Sequence, residues 1–390
     1  MKKALVLCAS HNDIGMVIAL KKLGYYVICT GSIPNQVGEP LCDKYICGDY
    51  SDKEFVLNLA QEYKVDAIVN SCNDWGVYSA AYASEKMGLP GYDSYETTLL
   101  LNNKDKFKDF AESIGIRTPI AKSFYEKETA CKYVQQVKFP IIIKPTDASA
   151  GRGVQKVSEI NYADSAIEAA FNVSKAKTIV IEPFIEGKQY GFCTFLVNKK
   201  VVGYCSNNEY SIINPYRVEM NTYPADNFDI VKDELTKQIE LIANKLNLVD
   251  GIFHLQYIYD GEHAQILEVM RRLLGNRYFV AGNMLTGVDW EYWETRAKCG
   301  LSCKEFPATN QIGYVSSKVI LAPRNGVIGS IDDSFYRPYV YDSIRVKNVG
   351  DTITDYQSQP VDILYLIFST REQMEEVLVD SFRNDFVEMR

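Results

Sequence analysis

The first 95 residues alternate apolar segments with amphipathic ones, and this alternation constrains the fold more than any other feature of the sequence. Short apolar runs predict strands, and the longer periodic segments between them predict helices. The predicted strands cover residues 3–8, 25–30 and 66–70, and the predicted helices cover residues 14–23, 52–63 and 75–87. Strands that alternate with helices are typical of a parallel sheet with helices on its faces. The sequence therefore predicts an α/β fold for this part of the chain.

The length and charge of the chain restrict its class. Its 390 residues are enough for two or three domains. The formal net charge of −8 disfavours a broad surface for nucleic acid or anionic membrane, because such surfaces need an excess of Lys and Arg. We see no apolar run of about 18 residues, so we expect no transmembrane helix. The first apolar run stops at Ala9, which predicts a strand rather than an export signal.

The ten cysteines are scattered and form no C-x-x-C pair. Several of them, including Cys8, Cys29 and Cys193, fall in predicted apolar strands. Cysteines in such positions are typical of buried, reduced thiols in a cytoplasmic protein. We therefore expect neither a disulfide framework nor a zinc site.

The segment FPIIIKPTDASAGRGV, residues 139–154, combines a buried strand with a loop of small residues. The strand ends at Lys144, and the loop contains Ser149, Gly151 and Gly153. A loop with little side-chain bulk can place its backbone N–H groups on phosphate oxygens, and a lysine at the strand end adds positive charge. The segment is neither a Walker A motif nor a G-x-G-x-x-G fingerprint, and a mobile surface turn would have a similar composition.

Two polar turns follow the first and third predicted strands, where open α/β sheets tend to bind ligands. His11 in the first turn and residues 71–74 in the second are candidate ligand contacts. Ser10, Asn12 and Asp13 equally suit the start of a helix, so a purely structural role remains open for the first turn.

From residue 97 onward the pattern is mixed. Helices are predicted over residues 103–113, 128–137, 164–170, 233–246, 288–299 and 371–382. Strands are predicted over residues 178–182, 191–197, 200–206, 251–260, 263–270, 316–322, 339–346 and 363–368. Residues 209–226 are predicted to be a polar loop long enough to be functional rather than a simple connector.

Charged and polar residues recur in a fixed order through these segments. A lysine opens a helix, a second lysine precedes the small-residue loop, a glutamate begins the sequence EPFIEG, and a late hairpin carries a glutamine, a glutamate and an arginine. These residues are Lys104, Lys144, Glu182, Gln256, Glu268 and Arg272. In this order and spacing the chain resembles the ATP-grasp superfamily, most closely the carboxylate–amine (amino acid) ligases and carbamoyl-phosphate-synthase-like proteins. The tail VILAPRNGVIGSID … FSTREQMEEVL also resembles that of the amino acid ligases.

The resemblance implies a Rossmann-like parallel sheet followed by a two-lobed ATP-grasp fold. It divides the chain into an α/β domain (1–95), a small lobe with the first nucleotide contacts (96–185), a large lobe with the metal site (186–305) and a C-terminal piece (306–390).

The resemblance also implies roles for individual residues around ATP. Lys104 and Lys144 would contact phosphate oxygens, and the loop with Ser149, Gly151 and Gly153 would close over them. Glu182 would accept a hydrogen bond from the adenine amino group, beside the backbone of Phe184 and Ile185. Gln189 occupies the position of the acid that binds the ribose.

The implied metal site contains Gln256 and Glu268, which would hold Mg²⁺ or Mn²⁺ through oxygen ligands. Arg272 and Lys144 are the implied catalytic residues. The chain departs from the family at three positions. Gln256 stands where an acid is frequent, Gln189 replaces the ribose acid, and Met270 replaces an asparagine ligand with a thioether, which is a poor partner for Mg²⁺.

Several assignments have structural alternatives. Lys106 competes with Lys104 for the first phosphate contact, and Lys104, Lys106 and Lys108 together resemble a solvated helix face. Glu182 could instead be a strand-end acid in solvent.

On the late hairpin, Glu268 could pair with Arg271 or Arg272 as a structural acid. His254 could face the same side as Gln256 or be a buried core histidine.

The functional expectation is an ATP-dependent carboxylate–amine ligase that forms an amide through an acyl phosphate. The alternatives are carbamoyl-phosphate-synthase-like phosphorylation of bicarbonate or a small carboxylate, and a catalytically impaired nucleotide-binding protein. The expected partners are small carboxylate and amine substrates, without nucleic acid or membrane, and a homodimer is compatible with the sequence.

Overall fold

A four-stranded parallel sheet is built by the first part of the chain in the computed structural model, which describes residues 1–148, 151–382 and 386–390. The strands are β1 (Lys3–Leu7), β2 (Tyr26–Gly31), β3 (Lys44–Cys47) and β4 (Ala67–Val69), in the order β3-β2-β1-β4. The accompanying helices are α1 (Ile14–Lys22), α2 (Lys53–Tyr63) and α3 (Asp74–Met87). The predicted α/β alternation is confirmed. Among the strands of this part, β3 was missed, because it has only four residues and none of them is buried.

The next part of the chain forms two helices and a small antiparallel sheet. The helices are α4 (Tyr95–Asn102) and α5 (Lys104–Ser113). The sheet contains β5 (Lys122–Phe124), β6 (Ile141–Pro145), β7 (Gln155–Val157) and β8 (Ile179–Pro183), in the order β5-β8-β6-β7. It packs against α6 (Lys127–Val134) and α7 (Ala163–Val173). Lys144 of β6 therefore lies next to β8, because the two strands pair in antiparallel register.

A large antiparallel sheet of eight strands dominates the remaining chain. Its order is β13-β12-β9-β10-β11-β14-β18-β16. The strands are β9 (Lys188–Val197), β10 (Lys200–Tyr210), β11 (Met220–Tyr223), β12 (Gly251–Tyr259), β13 (Ala264–Met270), β14 (Tyr314–Leu321), β16 (Val340–Arg345) and β18 (Pro360–Phe368). The helices in this part are α8 (Phe228–Lys245), α9 (Phe279–Thr286) and α10 (Trp290–Lys298).

The prediction of one long loop over residues 209–226 is wrong in part. Strand β10 continues to Tyr210, and β11 pairs with both β10 and β14. The sequence of β11, MNTY, has two adjacent polar residues and only four positions, so it shows no strand period that would stand out.

The end of the chain adds a second small sheet and one helix. Strands β15 (Gly326–Ile331), β17 (Thr352–Ile353) and β19 (Val387–Met389) pair in the order β17-β15-β19, and α11 covers Arg371–Ser381. A buried cluster joins this end to the large sheet, since Ile328 and Val387 share it with Leu364.

The first sheet and the large sheet share a hydrophobic core. Val6 of β1 and Val17 of α1 belong to the same buried cluster as Phe195 of β9 and Trp290 of α10. This shared core holds the carboxyl ends of the parallel strands close to one face of the large sheet.

Two further sequence predictions are resolved. The prediction that the cysteines are reduced thiols is wrong for Cys29 and Cys42, which form a disulfide with an S–S distance of 2.10 Å. Cys42 lies just before β3, and the pairing of β3 with β2 brings it near Cys29, a proximity that sequence spacing alone did not reveal. Cys193 is free and buried, as predicted. Among the described residues, no helix is both long and apolar enough to cross a membrane.

Candidate active site

A cavity of about 340 Å³ lies where α3, α4 and α5 meet the large sheet. Six of the residues predicted from the sequence line it: Lys104, Gly151, Gln189, Gln256, Glu268 and Arg272. These residues come from five separate segments of the chain. Strand pairing and helix packing therefore bring together side chains that are far apart in the sequence.

Gln256 and Glu268 face each other across the hairpin of β12 and β13. The register pairs them directly, and a bulge follows immediately after Gln256. Both side chains reach the cavity, and one third of the Glu268 side chain is exposed. Met270 also lines the cavity, two residues after Glu268 on the same strand.

Lys104, the first residue of α5, contacts two segments of the chain that are far apart in the sequence. Its Nζ donates a hydrogen bond to the carbonyl oxygen of Ala148 at 2.9 Å and lies 3.4 Å from Oε2 of Glu268. The alternative lysine, Lys106, is exposed on the same helix. The ammonium group of Lys104 thus lies between the small-residue loop and the acid of β13.

Lys144 and Glu182 form a buried ion pair on neighbouring strands of the small sheet. Nζ of Lys144 lies 2.6 Å from Oε1 of Glu182, and Lys108 pairs with the other carboxylate oxygen. Burial alone would raise the pKa of Glu182, but Lys144 and Lys108 hold that pKa below its ordinary value. Glu182 is 4% exposed, so its interpretation as a strand-end acid in solvent is wrong.

Lys108 is a buried partner of Glu182 that the sequence did not single out, since Lys108 was considered only as part of a possible solvated helix face. It is 3% exposed and turned toward Glu182. Its position four residues after Lys104 places both lysines on the same face of α5, and this spacing was the available signal.

Several predicted nucleotide residues, including Lys144 and Glu182, are absent from the described lining of this cavity. Gly153, Phe184 and Ile185 belong to the small sheet or its loops and are absent from the described cavity lining. The N–H of Phe184 donates to the carbonyl of Pro140 at 3.1 Å, and the ammonium of Lys156 lies 3.6 Å from the Phe184 ring centre. Ser149 lies outside the described residues.

Arg272 connects the large sheet to the first sheet. Its Nε donates to Oδ1 of Asp74, the first residue of α3, at 2.6 Å. Arg271 instead pairs with Asp93 at 3.0 Å and is 4% exposed. The two arginines therefore pair with aspartates, whereas Glu268 pairs with Lys104.

Glu209 is a cavity residue that the sequence did not reveal. Its Oε2 accepts hydrogen bonds from Nε2 of Gln189 and from Nε2 of Gln256, both at 2.7 Å. Burial raises the pKa of Glu209 to about 7, although the two glutamine donors act in the opposite direction. The side chain belongs to the extension of β10, a segment predicted to be loop.

The structure gives the surroundings of the two histidines considered from the sequence, His254 and His11. His254 is 1% exposed, lines the cavity and contacts the Tyr278 ring. Burial and the charge of Arg272 lower the pKa of His254 to about 3, so it is neutral at physiological pH. Near His11, Ser10 caps a short helical turn and Asp13 accepts from the Ser10 N–H.

The donor set suits a hard divalent cation. Glu268 offers carboxylate oxygens and Gln256 offers an amide oxygen, and Mg²⁺ prefers such ligands together with phosphate and water. Met270 adds no oxygen. Among the described residues there is no cluster of three or more His, Cys, Asp or Glu side chains placed to hold a metal, so phosphate and water would have to complete the coordination.

Comparisons with known proteins find similarity to an ATP-grasp domain and to ligases and synthases. Residues 102–221 match the family model of the phosphoribosylglycinamide synthetase ATP-grasp (A) domain. The chain is 24% identical over 315 residues to the carbamoyl phosphate synthase large chain of Clostridium acetobutylicum, an alignment that covers 76% of this chain and 28% of that protein. It is 25% identical over 237 residues to the phosphoribosylamine–glycine ligase of Fusobacterium nucleatum, covering 56% of this chain and 55% of that protein.

A solved structure extends the likeness to the whole fold. The L-amino acid ligase from Bacillus licheniformis superposes with a TM-score of 0.83 at 17% identity, covering 100% of this chain and 99% of that one. The chain thus spans about a quarter of one curated relative and about half of the other, while its fold matches the ligase structure end to end.

Proposed function

Since the chain belongs to the ATP-grasp superfamily, we propose that it is an ATP-dependent ligase that joins a small carboxylate to an amine. The observation that carries this proposal is the position of Lys104. Its ammonium contacts both the small-residue loop and Glu268, and Lys104 lines a cavity that Arg272 also lines. A phosphate chain laid along this cavity would meet cations and a metal-binding acid together.

In the proposed reaction, an oxygen of the substrate carboxylate attacks the terminal phosphorus of ATP and ADP leaves, which gives an acyl phosphate. The amine then attacks the acyl carbon and phosphate leaves, which gives the amide. Lys104 and Lys144 neutralise phosphate oxygens, and the guanidinium of Arg272 stabilises the transferring phosphoryl group. Gln256 and Glu268 would hold a Mg²⁺ ion, which would supply positive charge that offsets the charge of the phosphates.

The small sheet supplies the adenine side of the proposed site. Glu182 accepts from the adenine amino group, next to the backbone of Phe184 and Ile185, and Gln189 contacts the ribose. Ser149, Gly151 and Gly153 belong to the loop that excludes water from the acyl phosphate, which would otherwise hydrolyse. This chemistry depends on positioning and charge neutralisation, so it needs no cysteine or serine nucleophile.

A second candidate is carbamoyl-phosphate-synthase-like phosphorylation of bicarbonate or a small carboxylate. The similarity to the carbamoyl phosphate synthase large chain over 76% of this chain favours it. ADP release that depends on bicarbonate and not on an added acid and amine would support this second reaction.

The proposal also covers the division into domains, the oligomeric state and the cellular location. It includes the division into residues 1–95, 96–185, 186–305 and 306–390, a homodimeric assembly and a cytoplasmic location. The Cys29–Cys42 disulfide is the feature that argues against the last of these, because disulfides are rare in that compartment.

The experiment that tests the proposed function combines a mass-spectrometric screen of acid and amine pairs with a measurement of ADP release. Glu268→Ala should abolish turnover, because it removes the one acidic ligand proposed for the metal. Glu262→Ala is the matched control, since Glu262 lies in the turn of the same hairpin with 85% of its side chain exposed. Thermal unfolding should show both variants folded. Full turnover in the folded Glu268→Ala protein would contradict the metal assignment. Nucleotide binding without turnover on any pair would favour an impaired nucleotide-binding protein.

A further inference from the structure

Four residues form a straight row across the large sheet. The strand register aligns Asn207 of β10 with Gly191 of β9, Gly191 with Gln256 of β12, and Gln256 with Glu268 of β13. Because side chains alternate along a strand, Glu209 lies on the same face as Asn207. The proposed metal residues Gln256 and Glu268 therefore share a face with Glu209, which is two strands away from Gln256.

Gly191 allows Glu209 to reach across the strand between them. A Cβ atom at Gly191 would lie 3.0 Å from Oε1 of Glu209 and 2.4 Å from Oδ1 of Asn207. Any larger residue would push both side chains away. The absence of a side chain on β9 thus opens the path along which the carboxylate of β10 contacts the amide of β12.

The hydrogen bonds between Glu209 and the two glutamines have a defined donor and acceptor. An ionised carboxylate only accepts hydrogen bonds, whereas a glutamine amide has a donating nitrogen and an accepting oxygen. Glu209 receives the nitrogens of both Gln189 and Gln256 on the same oxygen, at 2.7 Å each. The amide oxygens of both glutamines are therefore held on the side away from Glu209.

We propose that Glu209 is the positioning residue of the metal–nucleotide site: it orients Gln256 so that its oxygen faces the divalent cation, and Gln189 so that its oxygen faces the ribose hydroxyls. This inference rests on the proposed function. A glutamine can replace an acid as a metal ligand only if its oxygen faces the metal. Glu209 fixes that choice, because its Oε2 accepts hydrogen bonds from the side-chain nitrogens of both glutamines.

The contact between Glu209 and Gln256 can be inverted by exchanging the two side-chain types. Gln256→Glu alone places two carboxylates where a hydrogen bond of 2.7 Å now exists, which is unfavourable for both. Glu209→Gln alone leaves the amide of Gln256 without an acceptor that selects its nitrogen. The double variant Glu209→Gln/Gln256→Glu restores one acid and one amide, and the acid needs no orientation because its two oxygens are equivalent.

The test measures Mn²⁺ binding in the presence of ADP by electron paramagnetic resonance, together with thermal unfolding. The proteins are the wild type, the two single variants, the double variant and the exposed control Glu262→Gln. We expect Glu209→Gln to weaken Mn²⁺ binding about 10- to 100-fold, as is usual when a residue that orients a metal ligand is lost. Gln256→Glu should also weaken binding, the double variant should recover most of the affinity, and the control should match the wild type.

Each outcome has one meaning. If the wild type fails to bind Mn²⁺ with ADP, the proposed function fails and not this inference alone. If the wild type binds and folded Glu209→Gln binds equally well, the positioning role of Glu209 is overturned. If Glu209→Gln unfolds, the double variant decides. Recovered binding supports the role, and binding as weak as that of Gln256→Glu overturns it.

Discussion

The ammonium of Lys104 occupies a position next to Glu268 that a divalent cation would also favour. The two charges are 3.4 Å apart, with 15% of the lysine side chain and 33% of the glutamate side chain exposed. In the protein without ligand, the lysine thus neutralises the acid. A metal ion and the phosphates would compete for these two partners, the metal for Glu268 and the phosphates for Lys104.

This competition predicts opposite effects of one substitution. Lys104→Met should weaken ATP binding about tenfold or more, because the cation proposed to bind the phosphates is lost. The same change should tighten binding of Mn²⁺ alone, since Glu268 no longer has a competing cation. Isothermal titration with each ligand measures both effects. Lys106→Met, an exposed lysine on the same helix, is the control, and a loss of ATP binding there would assign the phosphate contact to Lys106 instead.

Lys318 predicts a pH dependence of stability. It is 3% exposed, and burial lowers its pKa from 10.5 to about 8, although Glu219 acts in the opposite direction. The unfolded chain keeps this proton up to about pH 10.5 while the folded protein releases it near pH 8. The contribution of Lys318 to the free energy of unfolding should therefore increase with pH between these values. Below pH 8 the buried charge is a cost to the folded state.

Lys318→Met should remove this dependence. We expect the variant to be more stable than the wild type at pH 7 by roughly 2 to 4 kcal/mol, at about 1.4 kcal/mol for each unit of pKa shift. The difference between the two proteins should shrink as pH rises from 8 to 10.5. Urea unfolding at several pH values measures it, with exposed Lys304→Met as control. A difference that stays constant across this range would contradict the prediction.

At the level of elements, the sequence predicted long periodic segments well and short ones poorly. Helices α1, α2 and α3 and the hairpin of β12 and β13 agree with the predicted ranges, because each has a clear apolar pattern. The missed strands are short or half-exposed. Helix α9 was missed because its sequence, FVAGNMLT, is almost uniformly apolar and has no amphipathic period.

The candidate site residues also differ in how far the sequence could predict them. Lys104, Gln256, Glu268 and Arg272 were predicted to lie together because of their order along the chain, and all four line one cavity. Glu209 was not found, because its contacts depend on the register of β10, β9 and β12, which sequence spacing does not specify. A pairing across strands is a nonlocal property, whereas a motif is local.

Gly191 provides a prediction at this scale. Gly191→Ala should disturb the path of Glu209 across β9, because the added Cβ would lie 3.0 Å from the carboxylate and 2.4 Å from Asn207. We expect a loss of Mn²⁺·ADP binding together with a lower melting temperature. Gly282→Ala is the matched control, since its Cβ would meet its nearest atoms at 3.5 Å and 3.6 Å, which are ordinary contact distances. Equal behaviour of the two variants would contradict the role of Gly191.

On the scale of the whole molecule, the ion pair between Asp74 and Arg272 links the first sheet to the large one. Asp74 begins α3, and Arg272 follows the strand that carries Glu268. The pair holds the guanidinium with a single hydrogen bond of 2.6 Å from Nε. The first sheet therefore contributes to the position of a group that belongs to the large sheet.

Asp74→Asn should reduce kcat while leaving the KM for ATP nearly unchanged. The amide keeps the shape of Asp74 but loses the charge that orients Arg272, and misplacement of a catalytic group costs roughly 10- to 100-fold in rate. Steady-state kinetics on the substrate pair found by screening measures both constants. Asp109→Asn, an exposed aspartate on α5, is the control. A rise in KM for ATP without a change in kcat would show that Asp74 acts in nucleotide binding instead.

The strands in the middle of the large sheet and those at its far edge come from distant parts of the chain. Strand β11 is covered on one side by β10 and on the other by β14, which lies beyond α8, α9 and α10 in the sequence. A nascent chain that has not yet reached β14 therefore exposes the hydrogen-bonding edge of β11, and such an edge can pair with another molecule. Until β14 and the later strands have been synthesised, this exposed edge can therefore lead to aggregation.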